Sequence, residues 1–225
     1  MKAREVMNIF DIVGPVMVGP SSSHTAGAVR MGLACRRILG EEIAEADITL
    51  SGSFAATGRG HGTDKAIIAG LLGMTPDDTR VPDSFRYAQE KGLIFSFAFG
   101  EIPMSHPNTA RLVLKGVGGA DADVEAASLG GGRIEIRRIG DMALRFSAEQ
   151  PTLIIRNEDK PGLVAEVSRV LSEERINIAT FNVNRSSRGG TAVMVIECDT
   201  PLTEALLERI RALPGILRAV YINQD

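Results

Sequence analysis

The stretch Leu153-Ile154-Ile155-Arg156-Asn157-Glu158-Asp159-Lys160-Pro161-Gly162-Leu163-Val164 decides the fold of the last third of the chain. Leu153, Ile154 and Ile155 predict a short buried strand, and the polar run ending in Pro161-Gly162 predicts a turn. Leu163, Val164, Val167, Val170 and Leu171 then recur at helical spacing, with Glu166, Arg169 and Glu173 on the opposite face. Outward from there, residues 180–185 alternate, Phe181 and Val183 against Asn182 and Asn184. Arg185-Ser186-Ser187-Arg188-Gly189-Gly190 predicts a hairpin loop. The apolar run 192–196 suits a strand buried on both faces. Pro201 is expected to open a second helix carrying Leu202, Leu206, Ile210 and Leu213 on one stripe. Pro214-Gly215 stops it, and 217–222 is the last strand. The order is βαββαβ, the split βαβ arrangement.

The whole chain has 225 residues, enough for one large domain or two small ones. A net charge of −3, eight Phe, two Tyr and no Trp argue against a nucleic-acid surface. No apolar run approaches the roughly 20 residues that span a bilayer, and the first eleven residues lack the apolar core of a signal peptide. The expected location is the cytoplasm. The two cysteines, Cys35 and Cys198, sit inside apolar patterns and are expected as buried, reduced thiols. They are too few for an iron–sulfur cluster, so no metal is expected on this chain.

Ahead of the module, Ser147-Ala148-Glu149-Gln150-Pro151 is a polar linker, so the expected division is 1–147 and 148–225. Residues 10–18 are largely apolar, broken by Gly14-Pro15. A helix is expected over 24–39, capped by one of Ser21, Ser22 and Ser23. A strand follows over 46–54, then a Gly-rich loop, Gly58-Arg59-Gly60-His61-Gly62-Thr63-Asp64, and a helix over 65–72. A helix over 84–91 and strands over 93–99, 109–115, 124–129, 133–138 and 143–146 complete a mixed α/β layer. The fold class is therefore α+β, an α/β sandwich followed by a ferredoxin-like module. No internal repeat is present.

All three histidines, His24, His61 and His106, fall in stretches read as turns. Ser21 to Thr25 place hydroxyls and backbone donors at a helix start, which suits a carboxylate or phosphate; a plain serine cap is the simpler reading. The glycines around His61 leave room for a substrate, and imidazole titrates near neutrality, as a general base should. Thr63 and Asp64 either orient that ring or cap the next helix. His106-Pro107-Asn108 serves equally well as a structural turn. Lys65, inside a predicted helix, is read as solvated.

The module resembles an ACT domain, the amino-acid-sensing unit of many metabolic enzymes. That resemblance makes Asn157, Asp159, Gly162, Leu163 and Asn177 the expected ligand-binding positions; a module that only dimerises is the alternative. Over essentially the whole chain, three motifs together resemble the beta subunit of the bacterial iron–sulfur L-serine dehydratases. They are Phe10-Asp11-Ile12-Val13-Gly14-Pro15 leading to Gly19-Pro20-Ser21-Ser22-Ser23-His24-Thr25-Ala26-Gly27-Ala28, then Gly58-x-Gly60-His61-Gly62-Thr63-Asp64, then His106-Pro107-Asn108.

The resemblance implies an L-serine ammonia-lyase that forms pyruvate and ammonia. It implies a [4Fe–4S] cluster on a partner alpha subunit, whose free iron assists departure of the serine hydroxyl. The Ala26-Gly27-Ala28 continuation and the end of the chain after the module favour such a separate subunit, and a homodimer through either part is expected. His61 is the expected base, although His24 is not separated from it, with Thr63 positioning substrate. Ser21, Ser22, Ser23, Thr25 and Asn108 are expected to bind it. The rival expectations are a purely regulatory amino-acid-binding subunit and a stand-alone sensor.

Overall fold

The computed structural model describes residues 15–103 and 105–223. The motif over 10–14 therefore lies outside the described residues.

Alternating β-formers between Ile43 and Gly52 make β1, whose Ala46, Ile48 and Leu50 point into the core. Strand β1 pairs in parallel with β2 (Ile94–Phe99) and antiparallel with β3 (Asn108–Gly116). The meander continues through β4 (Asp121–Gly130), β5 (Arg133–Ile139) and β6 (Met142–Phe146). The sheet order is β2-β1-β3-β4-β5-β6.

Its face is covered by α1 (Gly27–Leu39), which buries Val29, Met31, Ala34, Cys35, Ile38 and Leu39. Burying an aliphatic side chain of this kind contributes roughly 1.5–3 kcal/mol. Against α1 lies α3 (Thr63–Leu71), and the two helices touch backbone to backbone. A Cβ at Gly32 would strike the Ile67 carbonyl oxygen, and one at Gly70 would strike that of Val29. Between β1 and α3 runs α2 (Ser53–His61), and α4 (Ser84–Glu90) follows before β2.

Three expectations are corrected in this part. The strand expected over 46–54 starts at Ile43 and ends at Gly52, so Ser53 and Phe54 open a helix. The expected Gly-rich loop is two helices joined at Gly62, whose backbone (φ 69°, ψ 28°) is left-handed. Gly58 and Gly60 are helical, and only Gly62 uses the freedom of a missing Cβ. Helical pairing of 53–61 with buried Phe54 outweighs the cost of two internal glycines, about 1 kcal/mol each. The helix expected from His24 begins instead as a π-turn over Ser22–Ala26, closed by the Gly27 N–H on the Ser22 carbonyl.

The second sheet has the order β10-β7-β9-β8, from β7 (Thr152–Glu158), β8 (Ile178–Arg185), β9 (Thr191–Cys198) and β10 (Ile216–Ile222). With α5 (Leu163–Glu173) and α6 (Glu204–Arg211) this is the expected βαββαβ order. Pro201 does not open α6. Thr203 caps it, its Oγ1 accepting from the Leu206 N–H at 3.3 Å. One sheet face packs Leu153, Ile155, Met194 and Ile196 against the helices. Ile154, Val193, Val195 and Ile222 on the other face join the core of the first sheet. Ala148, expected in a polar linker, is buried in that shared core. Arg218 on β10 donates to the carbonyls of Ile38 (3.1 Å) and Leu39 at the end of α1. A cation suits the negative end of that helix.

Candidate functional site

The site forms where β1 ends and α2 begins. Ser53, at that junction, donates its N–H to the Pro107 carbonyl at 2.6 Å and sets its Oγ 3.1 Å from His24 Nε2. The turn His106-Pro107-Asn108 is thereby tied to His24, although 82 residues separate His24 from His106 in sequence. Thr25 Oγ1 donates to the His61 carbonyl at 3.3 Å, bringing in the third motif. The His24 and His61 ring centroids are 4.8 Å apart, and His24 meets the edge of buried Phe54 at 5.2 Å. Two of the three histidines expected in turns are in fact helical, His24 in the π-turn and His61 at the end of α2. π-turns recur at functional sites because the widened turn redirects a side chain.

Hydrogen bonding assigns the ring protons. His61 Nδ1 lies 3.1 Å from the Thr57 carbonyl, which only accepts, so Nδ1 carries a proton. In the neutral ring the lone pair is then on Nε2, which has no partner among the described residues. Thr57 Oγ1 gives its hydrogen to the Ser53 carbonyl at 2.9 Å. Toward His24 Nε2, 3.2 Å away, it therefore accepts, and that nitrogen carries the proton. His24 Nδ1 faces Ser21 Oγ at 3.4 Å. His24 is thus engaged on both nitrogens. Burial lowers its pKa, the neighbouring His61 lowers it further, and His24 favours the neutral form.

The remaining expected residues divide. Ser21 Oγ accepts from the His24 N–H at 3.2 Å and is the cap of the π-turn rather than a free ligand group. Ser22 and Ser23 are half-buried at the start of that turn, where the first N–H groups have no partner within the helix. Thr25 is buried and holds the His61 turn. Thr63 is fully buried behind Gly58, and its hydroxyl has no partner among the described residues. Asn108 Nδ2 reaches the Ser128 carbonyl at 3.4 Å, and its N–H donates to His106 Nδ1 at 3.2 Å. Ser53, Thr57 and Phe54 were missed. Their signal, a Ser and a Thr four residues apart ahead of His61, becomes readable only once 53–61 is known to be helical.

Of the module's expected ligand positions, Asn157, Asp159, Gly162 and Leu163 lie along one turn from the end of β7 to the start of α5, and Asn177 stands apart from them. Asp159 Oδ2 accepts from the Gly189 N–H at 2.9 Å and from Arg185 at 3.3 Å, pinning the β8–β9 hairpin. The Gly189 bond, joined by Arg185, holds the Asp159 carboxyl below the usual range. Asn157 is buried, donates to the Glu158 carbonyl at 2.7 Å and leaves Oδ1 without a partner. Gly162 precedes α5 with φ 96°, and Leu163 is buried. Asn177 Nδ2 donates to Asp199 Oδ2 at 2.5 Å, beside the pair Ile178–Cys198. That end of the sheet is where β7 begins, whereas Asp159 follows its far end. Seven strand residues put about 20 Å between them.

Among the described residues no group of three or more potential metal ligands converges. Cys35 and Cys198 do not fit a cluster. They lie in separate cores, and burial pushes both thiols up, Cys198 to about 11 with help from Asp199.

A family model described as "Serine dehydratase beta chain" matches residues 6–93, and one described as "ACT domain" matches residues 151–215. A probable L-serine dehydratase beta chain of Bacillus subtilis is 39% identical over 96% of this chain and 97% of its own length. An L-serine dehydratase beta chain of Peptoniphilus asaccharolyticus is 35% identical over 95% and 97%. A D-3-phosphoglycerate dehydrogenase of Bacillus subtilis is 24% identical over 87% of this chain and 37% of its own length. With two histidine motifs meeting at Ser53 and near-full-length similarity of this degree, the chain belongs to the serine dehydratase beta-chain family and carries a C-terminal ACT domain.

Proposed function

We propose that this chain is the beta subunit of an L-serine ammonia-lyase, working with an alpha subunit that bears a [4Fe–4S] cluster. The observation that carries the reading is the unpartnered Nε2 of His61, beside a neutral His24 whose ring nitrogens are both engaged. Of the two imidazoles, His61 alone has a lone pair open to a substrate. Deamination of serine removes a proton from Cα and the hydroxyl from Cβ, giving aminoacrylate and water. The imine tautomer then takes up water to yield pyruvate and ammonia. In this reading His61 Nε2 accepts the Cα proton. The substrate carboxylate lies on the backbone donors of Ser22 and Ser23. His24, held by Ser21, Ser53 and Thr57, keeps the pocket uncharged next to the base. The proposal places the cluster on the alpha subunit and asks nothing of this chain's thiols. It also places the assembly in the cytoplasm, with beta chains pairing through exposed strand edges such as β8.

The test is His61→Gln in the reconstituted two-chain enzyme. Turnover is expected to fall about 10²–10⁴-fold, with serine affinity and the partner's visible absorption retained. Undiminished turnover overturns the role. Similarity to a phosphoglycerate dehydrogenase, a protein of different activity, favours a second reading, a regulatory subunit that binds an amino acid without proton transfer. In that case His61→Gln changes ligand affinity and leaves kcat intact.

A further inference from the structure

A cavity of about 260 Å³ lies between the two sheets, away from His24 and His61. Ile38, Ile139, Met142, Ile154 and Val193 give it apolar walls. Arg156, Arg218, Asp121 and Asp141 also line it. In the β10–β7 ladder Arg156 stands directly opposite Arg218, so two guanidinium groups leave one sheet face side by side. Like charges so placed repel. Arg218 is satisfied by the carbonyls of Ile38 and Leu39 and reaches that of Asp121 at 3.4 Å. The charged groups of Arg156, Asp121 and Asp141 have no partner among the described residues. The remaining acid, Asp123, is already held by Arg111 at 2.8 Å and Arg138 at 3.1 Å.

An apolar chamber with one unpaired cation, Arg156, and two unpaired carboxylates, Asp121 and Asp141, at its solvent-exposed mouth fits a zwitterion with an apolar tail. We propose that this cavity binds a free α-amino acid with an aliphatic side chain. Its carboxylate meets Arg156 and its ammonium meets Asp121 and Asp141. Its side chain fills the space among Ile38, Ile139, Met142 and Val193. The volume is small against ordinary ligand pockets, which excludes nucleotides and cofactors. Ile38 lies near the end of α1, to which Arg218 of β10 bonds, and the opposite end of α1 continues from the π-turn that holds His24. A ligand here contacts both sheets and therefore stabilises their docking.

The experiment is calorimetric titration of the full chain with L-leucine, L-leucinamide and N-acetyl-L-leucine. Saturable binding of L-leucine, one per chain, is expected, and little of either derivative, each of which lacks one charge. Arg156→Gln, an exposed substitution, is expected to weaken L-leucine at least about ten-fold, and Asp121→Asn with Asp141→Asn to do the same. Lys160→Ala, an exposed substitution in the loop before α5, should leave it unchanged. Absence of L-leucine binding overturns the proposal. So does binding insensitive to Arg156→Gln, or binding lost in Lys160→Ala.

Discussion

The start of α2 and the start of α5 are built from similar parts and behave differently. Each follows a strand, lies near glycine and carries polar groups that fit a small zwitterion. At α2, Ser53 gathers His24 from one segment and Pro107 from another, and Thr25 adds His61. At α5, Asp159 is used up by its own sheet, bonded to Gly189 and Arg185, and Asn177 stands at the opposite edge. At α2, then, distant segments converge and leave one imidazole nitrogen of His61 unpaired. At α5 the Asp159 carboxylate is taken by its own sheet, and the unpartnered Asn157 Oδ1 is buried.

The largest expected effect that separates the two regions is the loss of turnover in His61→Gln set out above, against near-normal turnover for Asp159→Asn. Comparable losses in both would erase the contrast. Next comes Ser53→Ala, which keeps the N–H bond to Pro107 and removes one acceptor from His24. A net hydrogen bond of about 1 kcal/mol implies roughly a five-fold lower kcat, with KM little changed. A fall in melting temperature without change in kcat would make Ser53 purely structural.

The third expectation concerns pH. Because burial lowers the His24 pKa, the unfolded chain takes up that proton first as pH falls through about 6.5. His24 therefore costs no stability above that pH and subtracts stability below it. His24→Gln should flatten the acid side of the melting-temperature profile between pH 7 and 5, in the region of the about 6.5 reference value. The Asp159 carboxyl behaves in the opposite sense. Its lowered pKa contributes stability above the ordinary carboxylate range, lost as pH falls through the lowered value. The melting difference between wild type and Asp159→Asn should thus shrink in acid. The smallest effect is Thr63→Val. A buried hydroxyl without a partner is exchanged for a methyl group, so stability should stay equal or rise by up to about 1 kcal/mol. A raised KM for serine would return Thr63 to the substrate.

The βαββαβ order was legible because each element there buries one face, and that leaves a period of 2 or 3.6 in the residues. Leu153, Ile155, Val167, Leu171 and Ile210 all lie in the core that this pattern predicts. The motifs that meet at the candidate site were legible as well, since Ser21 to Thr25 and Gly58 to Asp64 depart from core patterning. The helical state of 53–61 was not. Gly58 and Gly60 argue locally for a loop, and only the seating of Phe54 in the core reverses that.

The sequence by itself determined the two patterned layers, the buried cysteines and the three histidines as candidates outside the core pattern. Tertiary structure alone decided which imidazole is free. That choice depends on the Thr57 carbonyl beneath one ring and on Ser53 and Thr57 beside the other, contacts made when β1 delivers its last residue to the turn at Pro107. Residue types set what a side chain can donate or accept. Only the packed backbone sets which of those bonds is already made.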